Sequence, residues 1–404
     1  MSTIASPAAA PDDPCVSVVM PCLNEEQTIA RCIEAAWQGI AAAGVSGEVI
    51  VSDNGSSDRS VEVARAAGAR VVHCERRGYG NALRAGFAAA RGAWIVMGDA
   101  DLSYDFREIP RFWEEVRRGG ELVMGSRLRG TIEPGAMPWL HRRVGNPALS
   151  AMVRWLFRVR VSDTHCGLRA FTRAALSRMD LRTGGMELAS EIVIKAATAG
   201  LRIAEIPITL HRDGRGRPPH LRSFRDGWRH LRYMLMMAPD WLFFAPGLLC
   251  GALGAATIAA LLPAPLRLGG VVLDVHTMLL GMALVLLGVH LLLLGCFVKA
   301  FTYTEHLGAG AHAAFASALR RVKLEHGLLA GGALVLFGFA GDLWLLLRWL
   351  EQGAGRLQVG ITMRPAILFT TLLVAGLQVF FGAFFLSMLG ISRGDYVGDY
   401  TGGG

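Results

Sequence analysis

The sequence has few charged residues, and basic residues outnumber acidic ones. Only 18% of its 404 residues are charged, whereas 52% are hydrophobic; soluble globular proteins average about 25% charged residues. The 41 Lys and Arg residues exceed the 33 Asp and Glu residues, which gives a formal net charge of +8. This balance favours anionic lipids or phosphorylated substrates as partners. No basic stretch accompanies a nucleic-acid-binding motif, so no nucleic-acid partner is expected.

Paired cysteines and a secretory leader are also missing. The seven cysteines include no Cys-x-x-Cys pair, and their number is odd. This pattern argues against a disulfide framework or a zinc site and indicates reduced cytosolic thiols. Residues 1–14 are rich in Ala, Pro and Asp and contain neither the basic nor the apolar region of a signal peptide. They are predicted to form a disordered leader.

Long apolar runs are confined to the C-terminal part of the chain. Up to about residue 240 the sequence is ordinarily charged, and beyond it four stretches are long enough to span a bilayer. They cover Trp241–Leu262, Met278–Phe297, Leu328–Leu347 and Ala366–Leu389. Four such runs exceed what a soluble core holds. Residues 239–392 are therefore predicted to form an all-α transmembrane domain of four helices, followed by a flexible tail over residues 393–404.

A basic segment precedes the first apolar run. Seven arginines lie between Arg212 and Arg232, which favours a multi-pass protein of the inner or plasma membrane with its N-terminal half in the cytoplasm. Within residues 221–238, an apolar and a basic stripe repeat at helical spacing: Phe224, Trp228, Leu231 and Leu235, and Arg222, Arg225, Arg229 and Arg232. They predict an amphipathic juxtamembrane helix on an anionic bilayer. The alternative is a helix packed on the soluble domain.

Short apolar runs alternate with helical patterns over residues 15–220. Strands are predicted at Val16–Met20, Glu48–Ser52, Arg70–His73, Ala93–Gly98 and Leu122–Gly125, and helices at Glu26–Ala43, Asp58–Ala67 and Gly80–Ala90. This alternation predicts an α/β domain with a mostly parallel sheet covered on both faces. Ligands of such sheets bind beyond the carboxyl ends of the strands, so the residues that follow each strand are the candidates for function.

Polar residues follow four of these strands. They are Pro21-Cys22-Leu23-Asn24-Glu25-Glu26, Asp53-Asn54-Gly55-Ser56-Ser57-Asp58, Arg76-Arg77-Gly78-Tyr79-Gly80 and Asp99-Ala100-Asp101. Each alone is consistent with a plain turn or helix cap, but four at one sheet edge indicate a binding site. The two carboxylates that flank Ala100 suit a divalent cation with oxygen ligands, Mg²⁺ or Mn²⁺. Such a cation can neutralise a diphosphate leaving group.

These residues resemble the motifs of the inverting family 2 glycosyltransferases with the GT-A fold, and among them the polyprenyl-phosphate (dolichol-phosphate) sugar synthases. Further matching motifs follow in the family's order: Gly78-Tyr79-Gly80-Asn81-Ala82, Gly125-Ser126-Arg127, Asp163-Thr164-His165-Cys166-Gly167-Leu168-Arg169 and Glu205-Ile206-Pro207. The resemblance covers roughly residues 15–235. It implies a GT-A domain over residues 15–220.

The resemblance also assigns roles in binding a nucleotide-sugar donor. The binding residues would be Pro21, Asn24, Glu25, Asp53, Gly78, Gly80, Asp99 and Ala100. Within that set Asp53 would hydrogen-bond the base, and the two glycines would let the backbone approach the nucleotide. Asp99 would contact ribose or diphosphate, and Asp99 and Asp101 are the candidate metal ligands.

The implied acceptor is a lipid phosphate. Arg127, with Arg142 or Arg143, would hold its phosphate, because a guanidinium fork matches phosphate oxygens. A phosphate monoester is already anionic near neutral pH, so a strong general base is not required. If a base acts, Asp163 is the candidate, with a structural cap of the turn that follows as its alternative. The predicted catalytic residues are thus Asp101, Asp163 and Arg127.

The sequence departs from the family pattern at two places. Ser103 stands where some relatives carry a Gln that contacts the metal, and Asp105 lies nearby. The loop after Pro207 often reads Gly-x-Ser-Lys in relatives, and here it contains Arg212, Arg215 and Arg217. Arginines would then replace the lysine at the diphosphate, and this loop is expected to close over the substrate.

The expected reaction is inverting transfer of a hexose from a UDP- or GDP-sugar to a polyprenyl phosphate at the cytoplasmic membrane face. The bilayer is an expected partner, and the sequence leaves the oligomeric state open, a homo-oligomer included. One alternative is a processive polysaccharide synthase, although the Gln-x-x-Arg-Trp motif of those enzymes is absent. A second is a non-catalytic membrane scaffold or transporter, against which the intact acidic set argues.

Overall fold

The computed structural model describes residues 14–216, 223–304, 324–355 and 359–390. These residues form two compact units that adjoin in sequence between Met237 and Ala238. Of the predicted leader only Pro14 is described, and the predicted tail over residues 393–404 lies outside the described residues. The same holds for Arg217 and Arg222 of the basic segment.

The first unit is built on a sheet of seven strands. They are β1 (Val16–Cys22), β2 (Gly47–Asp53), β3 (Arg70–His73), β4 (Trp94–Met97), β5 (Leu122–Ile132), β6 (Arg169–Thr172) and β7 (Ile203–Leu210). Their order across the sheet is β3-β2-β1-β4-β6-β5-β7. β6 is antiparallel to β4 and β5, and the other pairings described in this unit are parallel. The predicted mostly parallel α/β sheet is confirmed.

Two strands, β6 and β7, were not predicted from the sequence. β5 extends to Ile132, well past its predicted end at Gly125. β6 is short and begins with Arg169, whose buried guanidinium donates to the carbonyl oxygens of Cys166, Thr164 and Ala189. β7 contains Pro207, which argues against an interior strand. It is nevertheless compatible with β7, because β7 lies at the edge of the sheet.

Eight helices surround the sheet in the described part of this unit. They are α1 (Ile29–Ala42), α2 (Ser60–Ala66), α3 (Tyr79–Ala89), α4 (Ile109–Arg117), α5 (Asn146–Phe157), α6 (Arg173–Met179), α7 (Leu188–Thr198) and α8 (Ser223–Met236). α1 and α2 begin three and two residues after the predicted starts, at about Glu26 and at Asp58. The backbone N–H of Glu26 donates to Asp58, and that of Arg59 donates to Glu26. These bonds join the two loops that precede α1 and α2.

Apolar side chains fill both faces of the sheet. Val18 belongs to the layer that contains Ile33 of α1 and Phe112 of α4, and its neighbour Val19 belongs to the layer that contains Leu83 of α3. Successive residues of a strand point to opposite faces, so a sheet covered on both sides needs almost continuous apolar strands. This packing fixes the strand ends at which the polar loops begin.

α8 has one buried and one exposed face. Asp226, His230 and Met234 are buried, and the helix packs against α5 and α7. Phe224 and Trp228, which belong to the apolar stripe predicted from the sequence, are exposed. The alternative of packing on the soluble domain is therefore correct for one face, while membrane contact by the other face stays a prediction.

The second unit contains four long helices among its described residues: α9 (Ala245–Leu261), α10 (Val275–Thr304), α11 (Leu324–Glu351) and α12 (Val359–Gly390). The segments Asp240–Leu261, Val275–Thr302, Leu324–Glu351 and Thr362–Leu389 are long and apolar enough to cross a membrane. The four predicted spans coincide with them to within a few residues. A hairpin of β8 (Leu266–Leu268) and β9 (Val271–Leu273) between α9 and α10 was not predicted.

Candidate active site

The loops after β1 and β2 form one hydrogen-bonded structure. The backbone N–H of Asn24 donates to Ser56 Oγ over 2.9 Å, and that of Ser57 donates to Asn24 Oδ1 over 2.7 Å. Asn24 has a φ of 59°, a left-handed conformation that asparagine tolerates better than most residues. The backbone N–H of Glu25 donates to Ser60 Oγ over 2.7 Å. The structure thus brings together the predicted residues of two strand ends.

Asp53, at the end of β2, is buried and ionised. Its carboxylate accepts from the backbone N–H groups of Gly55 and Ser56, at 3.3 and 3.1 Å, and lies 3.3 Å from His73 Nδ1. Burial alone would raise the pKa of Asp53, but these hydrogen bonds lower it below its ordinary value. The carboxylate therefore fixes the conformation of the loop after β2. A hydrogen bond from Asp53 to the base of a nucleotide stays a prediction.

Gly78 and Gly80 allow the segment 183–185 of the same chain to approach their backbone closely. A Cβ on Gly78, whose φ is 139°, would lie 2.3 Å from the carbonyl oxygen of Gly184, and a Cβ on Gly80 would lie 2.6 Å from that of Thr183. The backbone N–H of Asn81 donates to the Gly184 carbonyl. The segment 183–185 thus requires both glycines, and the predicted approach of a nucleotide to them stays a prediction.

Asp101 and Glu25 both form an ion pair with Arg215. Arg215 Nη2 lies 2.6 Å from Asp101 Oδ2, and Arg215 Nη1 lies 3.3 Å from Glu25 Oε1. The Nε atom of Arg215 is buried and has no hydrogen-bond partner among the described residues. The other oxygen of Asp101 accepts from the backbone N–H of Ser103 over 3.0 Å. Ser103 therefore orients the carboxylate of Asp101, and Arg215 in the loop after β7 binds the other carboxylate oxygen.

Asp99 lies beside this pair in a partly buried position. The hydroxyl of Tyr79 donates to its Oδ1 over 2.9 Å. Burial, reinforced by the charge of Asp101, raises the pKa of Asp99 to about 6, although Tyr79 and Arg215 oppose the rise. Between the two carboxylates, the carbonyl of Ala100 accepts from Thr28 Oγ1 over 2.7 Å. The Asp99-Ala100-Asp101 loop is therefore held firmly and concentrates negative charge, which favours a bound cation.

Arg127 and Asp163 form a buried ion pair. Arg127 Nε and Nη2 donate to the two oxygens of Asp163 over 2.7 and 2.8 Å, and the Arg127 backbone N–H donates over 3.1 Å. Asp163 is 0% exposed and Arg127 is 8% exposed. Burial alone would raise the pKa of Asp163, but Arg127 lowers it below its ordinary value. Asp163 is thus an ionised carboxylate whose two oxygens already bind a guanidinium.

The remaining predicted acceptor residues lie on a different element. Arg142 and Arg143 belong to the π-helical turn His141–Gly145, which leads into α5, and both are exposed. Both therefore lie in solvent, whereas the guanidinium of Arg127 is buried. Their contact with an acceptor phosphate stays a prediction.

Three residues of the site were missed by sequence reasoning. The hydroxyl of Tyr79 donates to Asp99, and the hydroxyl of Tyr104 accepts from the backbone N–H of Gly167. Glu191 of α7 accepts from the backbone N–H groups of Arg182 and Thr183 and so holds the segment that faces Gly80. Tyr79 stands between the two glycines of a recognised motif, so its position was a usable signal. Glu191 offered none, because a helical glutamate is ordinarily a solvated residue.

A cavity opens where these loops meet. It has a volume of about 250 Å³ and is lined by Asn24, Glu25, Glu26, Gln27, Ser57, Asp58 and Arg215. All seven of these residues have polar or charged side chains. A cavity of this kind, at the carboxyl ends of parallel strands, is the usual place for a polar ligand in an α/β sheet.

Two histidines, the half-buried His165 and the buried His230, connect the loop after Asp163 to α8. His165 Nε2 lies 3.2 Å from Ser190 Oγ, which lies 2.8 Å from His230 Nδ1. Burial lowers the pKa of His230 to about 4, against the raising effect of Asp226. Burial also lowers the pKa of His165 well below its ordinary value, and nearby positive charges lower it further. The fold therefore holds both rings neutral.

Acid is expected to destabilise the first unit through these histidines. A base whose pKa is lowered on folding binds protons more readily in the unfolded chain, so the stabilisation is complete above about pH 6.5 and is lost as the pH falls toward about 4. His230→Gln should reduce the acid dependence of the unfolding free energy by about 1.4 kcal/mol per pH unit in that window. Unfolding of the full chain in detergent checks this, with His141→Gln as control. Equal acid slopes in the His230 variant and the parent would contradict the prediction.

The sheet, the acidic loop after β4 and the four apolar helices together define a glycosyltransferase with a membrane region. The chain belongs to glycosyl transferase family 2. The model of that family matches residues 17–184, and the model described as the glycosyltransferase family 2 C-terminal transmembrane region matches residues 296–390. The expected GT-A fold class, the enzyme class and the membrane region are thereby confirmed.

Named relatives agree with this assignment. The chain is 40% identical over 380 residues to the low-salt glycan biosynthesis hexosyltransferase Agl6 of Haloferax volcanii, covering 93% of this chain and 89% of the relative. It is 36% identical over 196 residues to the dolichyl-phosphate hexose transferase of the same organism, covering 48% of this chain and 81% of the relative. Among solved structures it is similar to glucosyl-3-phosphoglycerate synthase from Mycobacterium tuberculosis in complex with Mn²⁺ and uridine diphosphate, at a TM-score of 0.45 and 25% identity over 56% of this chain and 80% of that one.

Proposed function

We propose that the chain transfers a hexose from a UDP- or GDP-linked donor to a polyprenyl phosphate at the cytoplasmic membrane face, with inversion at the anomeric carbon. The observation that carries the proposal is the cluster of Asp99, Asp101 and Glu25 around Arg215 at the ends of β1 and β4. Carboxylates for a cation and a guanidinium for phosphate then lie in one place. The acceptor is supported by the similarity to a dolichyl-phosphate hexose transferase.

The carboxylate ligands of the candidate metal site fit Mg²⁺ or Mn²⁺ that is bound together with a diphosphate. Among the described residues, no group of three His, Cys, Asp or Glu side chains is placed to hold a metal alone. Mg²⁺ is commonly bound by one or two carboxylates plus substrate phosphates, and Asp99 and Asp101 supply the two carboxylates. When bound, the ion would neutralise the charge that develops on the diphosphate as it leaves.

The chain's own residues would orient the two substrates. An acceptor phosphate oxygen attacks the anomeric carbon, the bond from that carbon to the donor's diphosphate oxygen breaks, and the nucleoside diphosphate leaves. Arg127 would direct its guanidinium at the acceptor phosphate from a fixed position, because Asp163 locks its orientation. Arg142 and Arg143 would add positive charge from the turn before α5. Positioning and charge then supply the catalysis.

Asp163 is better suited to position Arg127 than to act as a base. Both of its oxygens accept from Arg127, and its lowered pKa disfavours proton uptake near neutral pH. The acceptor phosphate is itself anionic at that pH, so it can attack without losing a proton to the protein.

A transfer assay with the purified full chain tests this function. The chain in detergent would receive labelled UDP- and GDP-hexoses with polyprenyl phosphate, with the unphosphorylated polyprenol as matched control, and without lipid. Labelled product that needs the phosphorylated lipid is expected. Label in a long polymer would indicate a processive synthase instead, and label on protein acceptors alone or no transfer with any donor would refute the proposal.

Arg215→Ala is expected to separate metal binding from donor binding. Removing the guanidinium frees a carboxylate oxygen of Asp101, so Mn²⁺ should bind more tightly in the absence of nucleotide. The KM for the donor should rise about tenfold or more, the size of a lost charge-assisted hydrogen bond. Mn²⁺ titration followed by electron paramagnetic resonance and initial rates measure the two effects.

Arg212→Ala is the matched control for this variant. Arg212 lies on the same loop but is exposed and contacts Glu133 and Pro134, so both quantities should stay near the parent's. A donor KM unchanged by Arg215→Ala would remove Arg215 from the donor site.

A further inference from the structure

One carboxylate of β7, that of Glu205, holds the loop between α5 and β6. Its Oε1 atom accepts from the backbone N–H groups of Ser162 and Asp163, over 2.9 and 3.1 Å, and from the Ser162 hydroxyl over 2.8 Å. The side chain of Glu205 is 7% exposed. Hydrogen bonds to an ionised acceptor are the stronger ones, so three of them on one buried oxygen fix the backbone at Asp163. The resemblance gave no role to the motif Glu205-Ile206-Pro207 that contains this residue.

β5, which lies beside β7, is irregular where its two arginines occur. It pairs with β7 up to Ser126 and again from Thr131, with a register shift between them. Extra residues in a strand redirect side chains. Here Arg127 is buried, whereas Arg129 is exposed and its Nη1 atom lies 3.4 Å from Glu205 Oε2. Glu205 therefore contacts the irregular part of β5 through one oxygen and the Asp163 backbone through the other.

Two serine hydroxyls join the same two segments. Ser126 Oγ lies 2.7 Å from Ser162 Oγ. A hydroxyl has a single proton, and Ser162 donates its proton to Glu205, so Ser126 donates to Ser162. Ser126 Oγ also accepts from the backbone N–H of Arg129 over 3.1 Å. Glu205 is thus the last acceptor of a chain of hydrogen bonds that starts in β5.

The place of Arg127 depends on this arrangement. Asp163 accepts from the backbone N–H, Nε and Nη2 of Arg127, and the backbone N–H of Asp163 donates to Glu205. A buried N–H group needs a partner, so weakening its bond to Glu205 should shift the loop and the Asp163 carboxylate with it. A displacement of about 1 Å at a positioning group can lower a rate about a hundredfold.

We propose that Glu205 is a positioning residue for the acceptor side of the reaction: it fixes Asp163, and through Asp163 the guanidinium of Arg127, without touching a substrate. The kinetic consequence rests on the proposed function, because Arg127 is there the ligand of the acceptor phosphate. The ordering of Arg127 by Glu205 does not rest on it.

Two conservative variants separate the reach of Glu205 from its charge. Glu205→Asp keeps the charge but withdraws the oxygens by about 1.5 Å, one C–C bond, and should lower kcat/KM for polyprenyl phosphate about tenfold or more. Glu205→Gln keeps the reach and one acceptor oxygen and should stay within about threefold of the parent. The KM for the donor should change less than about twofold in both variants.

Glu121→Asp is the matched control, because Glu121 accepts from the backbone N–H of Arg202 directly before β7. It shortens a carboxylate at the other end of the same strand and should leave both kinetic constants near those of the parent. An acceptor kcat/KM of Glu205→Asp equal to that of Glu205→Gln, or an equal loss for donor and acceptor, would overturn the positioning role.

Amide hydrogen exchange of the full chain in detergent, resolved to single residues, tests the ordering without substrate. The Arg127 N–H donates to Asp163, so its exchange reports the place of that carboxylate. Glu205→Asp should speed exchange at Asp163 and Arg127 at least about tenfold, whereas Gly125, which donates to the Leu168 carbonyl, should exchange as in the parent. Unchanged protection at Arg127 would overturn the inference. If Arg127 loses protection but the parent transfers no hexose to polyprenyl phosphate, the proposed function fails and the ordering by Glu205 stands.

Discussion

Replacing Asp101 by Asn is expected to reduce sugar transfer on the order of a thousandfold or more, comparable with the loss of a preorganised electrostatic group from an active site. The substitution keeps the size of the side chain and removes its charge. Asp101 is buried, and its two oxygens face Arg215 and Ser103. The carboxamide would offer one neutral oxygen where a cation and a diphosphate require a carboxylate. Both kcat and metal affinity should therefore fall.

Initial rates with labelled donor and Mn²⁺ binding followed by electron paramagnetic resonance measure the two effects. Asp105→Asn is the matched control, because Asp105 lies near in sequence but pairs with the exposed Arg107. Its rate should stay within about threefold of the parent's. Arg215→Ala should raise the Mn²⁺ affinity, whereas Asp101→Asn should lower it. This contrast distinguishes the loss of a metal ligand from a general loss of structure. Turnover of Asp101→Asn within tenfold of the parent would exclude Asp101 as the essential metal ligand.

Arg127→Ala is expected to destabilise the first unit by about 3–5 kcal/mol, because it leaves the wholly buried Asp163 without the guanidinium that compensates its charge. Thermal unfolding of the full chain should show the transition of this unit lowered by about 10 °C. Since the pKa of Asp163 is lowered in the folded protein, this stabilisation is present above about pH 4 and is lost only in stronger acid. If Arg127 binds the acceptor phosphate as proposed, transfer should also be lost.

A double variant separates the structural effect from the catalytic one. Arg127→Met with Asp163→Leu removes both charges and should regain much of the lost stability but none of the transfer. Arg118→Ala is the control for a surface pair: it removes contacts with Glu114 and Glu115, and Arg118 and Glu114 are 59% and 62% exposed. It should cost less than about 1 kcal/mol. If the double variant unfolds at the same temperature as Arg127→Ala, an uncompensated charge is not the source of the instability.

Strands with continuous apolar runs were predictable from the sequence, and strands with polar interruptions were not. β1, β2 and β4 are buried on both faces, so their composition alone revealed them. β6 begins with a buried arginine and β7 contains a proline; both features argue locally against a strand. Contacts far away in the chain stabilise them, with Arg169 bonded to carbonyl groups and Pro207 placed at the sheet edge.

The candidate site residues could be located from the sequence, and several of their contacts could not. Placement after a strand identified Asp53, Asp99 and Asp101. Nothing local indicated that Asp163 binds Arg127 through both oxygens, which changes its suitability as a base. Nor did the glycines at 78 and 80 reveal that the chain's own segment 183–185 approaches them.

The sequence by itself determined the class of enzyme, the number of apolar spans and the edge of the sheet that carries the site. Each of these depends on residues close together in the chain, through periodicity, run length or a strand end. Tertiary structure decided which charges meet. Arg215 pairs with Glu25 across 190 residues and with Asp101 across 114, and only the folded chain brings the loop after β7 to the ends of β1 and β4. Pairing over such separations depends on the topology of the sheet, which no local pattern encodes.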